Sequence, residues 1–156
     1  MIDLFGDVKF KPLRKFQQIL DNYYITNTGK IYSNHSNKFL TPQISASQNQ
    51  YLQVKVNVPV NQFDYPYHQG RKQKTTCRVP VIVHKAVIES WKPIDDYPPI
   101  SKEDWDKCPE SAKKWIRNTA VVDHINGDKL DNRLENLRYV IPKENCVHHK
   151  KYELND

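Results

Sequence analysis

The chain has 156 residues, enough for one domain or one domain with a small appendage, and 38% of them are hydrophobic. Lys and Arg outnumber Asp and Glu by 24 to 18, and the resulting net charge of +6 favours a polyanionic partner, because neutralising phosphates releases counterions. Cys77, Cys108 and Cys146 lie far apart without a CxxC pair, which argues against a disulfide framework or structural zinc and for an intracellular, reducing compartment; Met1-Ile2-Asp3-Leu4-Phe5 does not read as a signal peptide, and no apolar run approaches the ~20 residues needed to cross a bilayer.

The first half reads as β. Tyr23–Thr26, Lys30–Ser33, Lys38–Ile44 and Tyr51–Val58 are short runs rich in Tyr, Ile, Val and Thr, punctuated by Asn, Gly, Ser and Pro. Asn27-Thr28-Gly29 offers the Asn and Gly of a tight hairpin. Leu52, Val54, Val56 and Val58 alternate with Gln53, Lys55 and Asn57, so one face is buried. The pattern predicts an antiparallel meander of about four strands.

Phe63–Lys74 is polar, aromatic and cationic, and reads as a projecting loop or hairpin tip. Its Arg71, Lys72 and Lys74, beside aromatics, are candidates for nucleic-acid contact, weighed against a plain solvated loop. Val81–Trp91 carries apolar residues at helical spacing and predicts a helix packed on the sheet, with His84 as a packing residue. Lys92–Ile100, with three prolines, is a linker, and Ser101-Lys102-Glu103-Asp104 reads as a helix N-cap followed by first-turn acids. Trp105 and Trp115 read as anchors that dock this segment.

Val121–His124 and Leu137–Ile141 are predicted strands. The loop between them holds Asn126, Gly127, Asp128, Asp131 and Asn132, read as turn formers, and Pro142 suits the first position of a helix running to about Lys151. The unit is strand, loop, strand, helix. Asp123 and His124 lie on opposite faces of their strand. A carboxylate, an imidazole and amides converging here can hold a divalent metal and activate a water, and in a basic protein the natural target is a phosphodiester. Oxygen donors favour Mg²⁺ or Mn²⁺ over zinc. A calcium loop of the EF-hand kind is excluded, since the twelfth position from Asp123 is Leu134 and the glycine falls fifth.

Val83-His84-Lys85-Ala86-Val87, the run Val122-Asp123-His124-Ile125-Asn126-Gly127-Asp128 through Asp131-Asn132-Arg133-Leu134-Glu135-Asn136-Leu137-Arg138, and Pro142-Lys143-Glu144-Asn145 resemble the HNH endonuclease family, most closely its phage and intron-associated homing branch. The signature positions fall at His124 and, twelve and twenty-one residues later, at Asn136 and Asn145. Ile19–Val58 is similar to the small β-rich module that often precedes such nuclease domains.

The resemblance implies an α+β fold, an N-terminal antiparallel meander followed by a helix and a C-terminal ββα-metal unit. Residues 1–80 form the DNA-contacting module, and 81–156 the nuclease domain with an insert at 92–120 whose role is not inherited. It implies a DNA endonuclease with one divalent metal and double-stranded DNA as partner, working in the cytoplasm, that of a bacterial host if phage-encoded. Within it His124 is the general base, Asp123 and Asn145 hold the metal, and Asn136 braces the loop. The cut leaves a 5′-phosphate and a 3′-hydroxyl. His149, four residues after Asn145, is a candidate third ligand or phosphate contact, weighed against a surface histidine. Arg133, Arg138, Lys143, Lys150 and Lys151 flank the site as candidate phosphate contacts. Ile141 departs from the family's Thr or Ser cap before proline, at a cost of about 1 kcal/mol. A DNA-binding protein on a silent scaffold and an RNA-directed nuclease are the competing readings.

Overall fold

The computed structural model describes residues 9–46, 50–63 and 75–142. Strands β1 (Phe10–Lys15) and β2 (Gln18–Thr26) form an antiparallel hairpin closed by Phe16 and Gln17, at φ 50° and 63°. Two successive left-handed residues give the twist a tight hairpin needs, but here neither Gly nor Asn supplies them. The expectation of a first strand at Tyr23 is therefore corrected: β1 was not foreseen, and β2 begins five residues earlier. Strand β3 (Ile31–Ser33) folds back on β2 through the Asn27-Thr28-Gly29 turn, where Gly29 takes φ 94°.

The single strand expected over Lys38–Ile44 is two, β4 (Lys38–Phe39) and β5 (Gln43–Ile44). Pro42 precedes β5 and has no N–H to give to a ladder, and the two pieces enter different sheets. Strand β5 pairs with β6 (Leu52–Pro59), which pairs with β7 (Thr76–Ile82). The expected antiparallel meander is present, its strands divided between two sheets ordered β1-β2-β3-β4 and β5-β6-β7. Val54, Val56 and Val58 are buried and Lys55 and Asn57 exposed, as the alternation implied. Phe63 is itself in the core, in edge-to-face contact with Phe16, so it takes no part in a projecting loop; residues 64–74 lie outside the described residues.

Strand β7 runs directly into helix α1 (Val83–Trp91), with Ile82 as N-cap. The helix starts two residues later than expected because Val81 and Ile82 pair with Val54 and Gln53. It buries Val83, His84, Ala86, Val87, Ile88 and Ser90 and packs against both sheets and the C-terminal hairpin. One core cluster extends from Leu13 to Leu137, and position 80 lies within β7, where residues on either side share that core.

Ser101 caps α2 (Lys102–Lys107), its Oγ accepting from the Asp104 N–H at 3.1 Å. Helix α3 (Glu110–Thr119) follows. Trp105 is buried, but Trp115 is 59% exposed, which corrects its reading as an anchor. Only Ile116 of α3 is buried, and Trp115 stands on the solvent side. Strands β8 (Val121–His124) and β9 (Leu137–Val140) form the C-terminal hairpin, and the Tyr139 hydroxyl donates to the Lys92 carbonyl at 2.8 Å, fastening β9 to the end of α1. The helix expected after Pro142 lies outside the described residues. Among the described residues no helix is long and apolar enough to cross a membrane.

Candidate active site

The end of β8 sends two adjacent side chains to opposite faces. His124 points inward and is 8% exposed, while Asp123 faces out with a partly exposed carboxylate. The register pairs Asp123 with Arg138 and His124 with Leu137, and Asp123 Oδ2 accepts from Arg138 Nε at 2.9 Å. Oδ1 of Asp123 makes no hydrogen bond within the described residues.

The His124 ring is fixed by Asn132, whose Oδ1 lies 2.8 Å from Nε2 in a buried contact. With an amide oxygen as partner, Nε2 carries the proton and Nδ1 keeps the lone pair. Asn132 is 5% exposed. The sequence marked it only as a turn former, and nothing in its spacing distinguished it from Asn126 or Asp131.

The loop between β8 and β9 is held by a reciprocal asparagine pair. The Asn126 backbone N–H donates to Asn136 Oδ1 at 3.0 Å, and Asn136 Nδ2 donates to Asn126 Oδ1 and to the Asp131 carbonyl, each at 2.9 Å. The Ile125 N–H also reaches the Asn136 carbonyl at 2.8 Å. Asn126 Nδ2 donates to Asp131 Oδ2, and Asp128 Oδ1 accepts from the Leu130 N–H. Arg133 forms a forked pair with Asp131, at 2.8 and 2.9 Å, which holds the Asp131 carboxyl well below the usual carboxylate range. Both arginines of the C-terminal hairpin expected to meet phosphates are thus engaged within the chain, Arg133 with Asp131 and Arg138 with Asp123.

The N-terminal half supports this loop directly. The Leu134 N–H donates to the Asn27 carbonyl at 2.9 Å, and a Cβ on Gly29 would stand 3.0 Å from Val83 Cγ1 and 3.4 Å from Asn132 Cβ. The β2–β3 turn is therefore seated against α1 and the loop that carries Asn132. From the other side, the His84 and Tyr51 rings close on His124, with centroids 4.8 and 6.1 Å from it and 4.5 Å from each other. Lys129 Nζ sits 5.5 Å from the Tyr51 ring centre. Burial, and then the neighbouring His124 and Lys85, push the His84 pKa down to about 3. Tyr51 carried no functional pattern in the sequence, and His84 read as packing.

Asn145, His149, Lys143 and Lys150 lie outside the described residues, as do Arg71, Lys72 and Lys74. Among the described residues no three His, Cys, Asp or Glu side chains cluster. A lone carboxylate oxygen suits Mg²⁺ or Mn²⁺, which retain several waters, better than zinc, which takes a closed set of nitrogen and sulfur ligands.

Residues 115–150 match the family described as HNH endonuclease. Two uncharacterized HNH endonucleases of Acanthamoeba polyphaga mimivirus are similar: one is 64% identical over 31 residues, 20% of this chain and 8% of its own length. The other is 26% identical over 149 residues, covering 93% of this chain and 33% of its own. The chain thus spans a third or less of the length of these curated relatives. A solved structure described as DNA binding and cleavage by the HNH homing endonuclease I-HmuI aligns with a TM-score of 0.55 and 23% identity, over 93% of this chain and 59% of that one, a likeness of fold.

Proposed function

We propose that the chain, whose residues 115–150 match the HNH endonuclease family and whose fold is like that of an HNH homing endonuclease, is a metal-dependent endonuclease that hydrolyses phosphodiester bonds of double-stranded DNA. The observation that carries this reading is the end of β8, an inward imidazole fixed through Nε2 beside an outward carboxylate with one uncommitted oxygen.

In this reading His124 Nδ1 takes the proton from the attacking water, and Asn132 holds the ring in the tautomer that leaves Nδ1 free. Asp123 and Asn145 would hold one Mg²⁺ or Mn²⁺, which when bound would polarise the phosphate and neutralise charge on the departing 3′-oxygen. Asn136 keeps the loop closed, so that Asp123 and His124 stay at the same end of the hairpin. His149, four residues after Asn145, adds a ligand or a phosphate contact. Arg71, Lys72, Lys74, Lys143 and Lys150 bind the backbone, and Arg138 and Arg133 join them when their carboxylate partners are drawn elsewhere. The first eighty residues make most of the DNA contacts, a division of labour laid over one shared core.

Supercoiled plasmid and a matching RNA, incubated with the protein in Mg²⁺ or EDTA, provide the test. Expected is Mg²⁺-dependent nicking or linearisation of the plasmid alone, reduced about 10²–10⁴-fold in His124→Ala. Cutting that survives His124→Ala unchanged would overturn the mechanism, and cutting of RNA in preference to plasmid would overturn the substrate.

A further inference from the structure

His84 is 2% exposed, and its Nδ1 is one of two buried side-chain atoms left without a hydrogen-bond partner among the described residues. An unpaired polar atom is costly in a core, and a phenylalanine or leucine would fill the same space without that cost. The ring is nevertheless not among aliphatic neighbours alone. It forms a triangle with Tyr51 and His124, its ring centroid 4.5 and 4.8 Å from theirs and its plane inclined to them by 55° and 60°. Tyr51 in turn lies nearly parallel to His124, at 17°. An imidazole that costs stability where it sits, against the ring assigned as general base, is the kind of local conflict that marks a working residue.

We propose that His84 is a positioning residue of the cleavage reaction, a second imidazole that, with Tyr51 as backing, sets the orientation of the His124 ring through the polar character of its own ring and not through bulk alone. The proposal rests on His124 being the base. It also extends the site beyond the C-terminal hairpin to α1 and the start of β6.

Two substitutions and two readouts test it. His84→Phe keeps a flat ring and removes both nitrogens, while His84→Asn returns a polar atom near the place of Nδ1. For His84→Phe the expected results are a melting temperature equal to or about 2 °C above wild type, unchanged KM for plasmid, and kcat lowered at least tenfold, with part of that loss recovered in His84→Asn. In ¹⁵N spectra of the imidazoles, His124 should show one Nε2–H tautomer in wild type and a shifted or mixed signal in His84→Phe. Wild-type kcat in His84→Phe, or an unmoved His124 signal, overturns the proposal. Should the wild-type protein cut nothing, the nuclease reading fails, and the His124 signal alone decides whether His84 orients that ring.

Discussion

Asn132 and Asn136 sit four residues apart in one loop and are both nearly buried, yet they hold different things. Asn136 spends its amide on the loop itself, with three bonds to Asn126 and Asp131, whereas Asn132 spends its oxygen on the His124 ring. Their alanine variants should therefore separate. Asn136→Ala strands several partners and should lower stability by about 1–3 kcal/mol, seen as a melting temperature about 2–10 °C lower. Asn132→Ala leaves a single buried ring nitrogen unpaired. Assayed well below both melting temperatures, it should lose cleavage about tenfold more than Asn136→Ala, because in the proposed mechanism only it frees the tautomer of His124. Equal activity in the two folded variants would remove Asn132 from that role.

The insert of α2 and α3 shows how far an element's existence can be read and its orientation not. Ser101 announced the start of α2, and the cap bond is present. Two tryptophans ten residues apart in one segment gave no hint that one would be core and the other surface. Trp105 is 2% exposed and flanked by Lys113 and Arg117, whose cationic groups lie 5.4 and 5.5 Å from its ring, while Trp115 stands on the outer side of α3. Trp105→Ala should cost about 3–5 kcal/mol and Trp115→Ala no more than about 0.5 kcal/mol, measured by denaturant unfolding; comparable losses would mean that α3 packs through both. The same limit explains the rest of the fold. Runs with period two or with Gly and Asn turns were legible, as in β3, β6 and the Asn27–Gly29 turn. The β1–β2 hairpin was hidden because Phe16 and Gln17 adopt left-handed geometry without the residues that advertise it. In the site, His124, Asp123 and Asn136 stood in a pattern, whereas Tyr51, His84 and Asn132 meet the His124 ring only through tertiary packing, which no spacing encodes.

Helix α1 joins these parts, and its two ends carry titrating groups that pull stability in opposite directions. At one end His84 is held neutral, with its pKa lowered to about 3 chiefly by burial. Nearer the other, beside the β1–β2 hairpin, burial pushes the Glu89 carboxyl up to about 7, against the lowering pull of Lys15, Lys85 and Arg14. Between pH 4.5 and 6.5 the unfolded chain is protonated at His84 while the folded one is not, so this group makes stability rise with pH. Over the same window folded Glu89 keeps a proton that the unfolded chain has released, so it makes stability fall with pH. Each slope approaches about 1.4 kcal/mol per pH unit and the two nearly cancel. The contribution of this pair to the wild-type profile should therefore be flat across that window, with the gain from Glu89 lost as pH rises on to 7 and that from His84 lost as pH falls below 4.5. Single substitutions expose the hidden slopes. Glu89→Gln should become more stable from pH 4.5 to 6.5 relative to wild type, and His84→Phe should become less so, both read as melting temperature against pH. Parallel profiles for all three proteins would mean that α1 does not hold these two groups in the protonation states its packing implies.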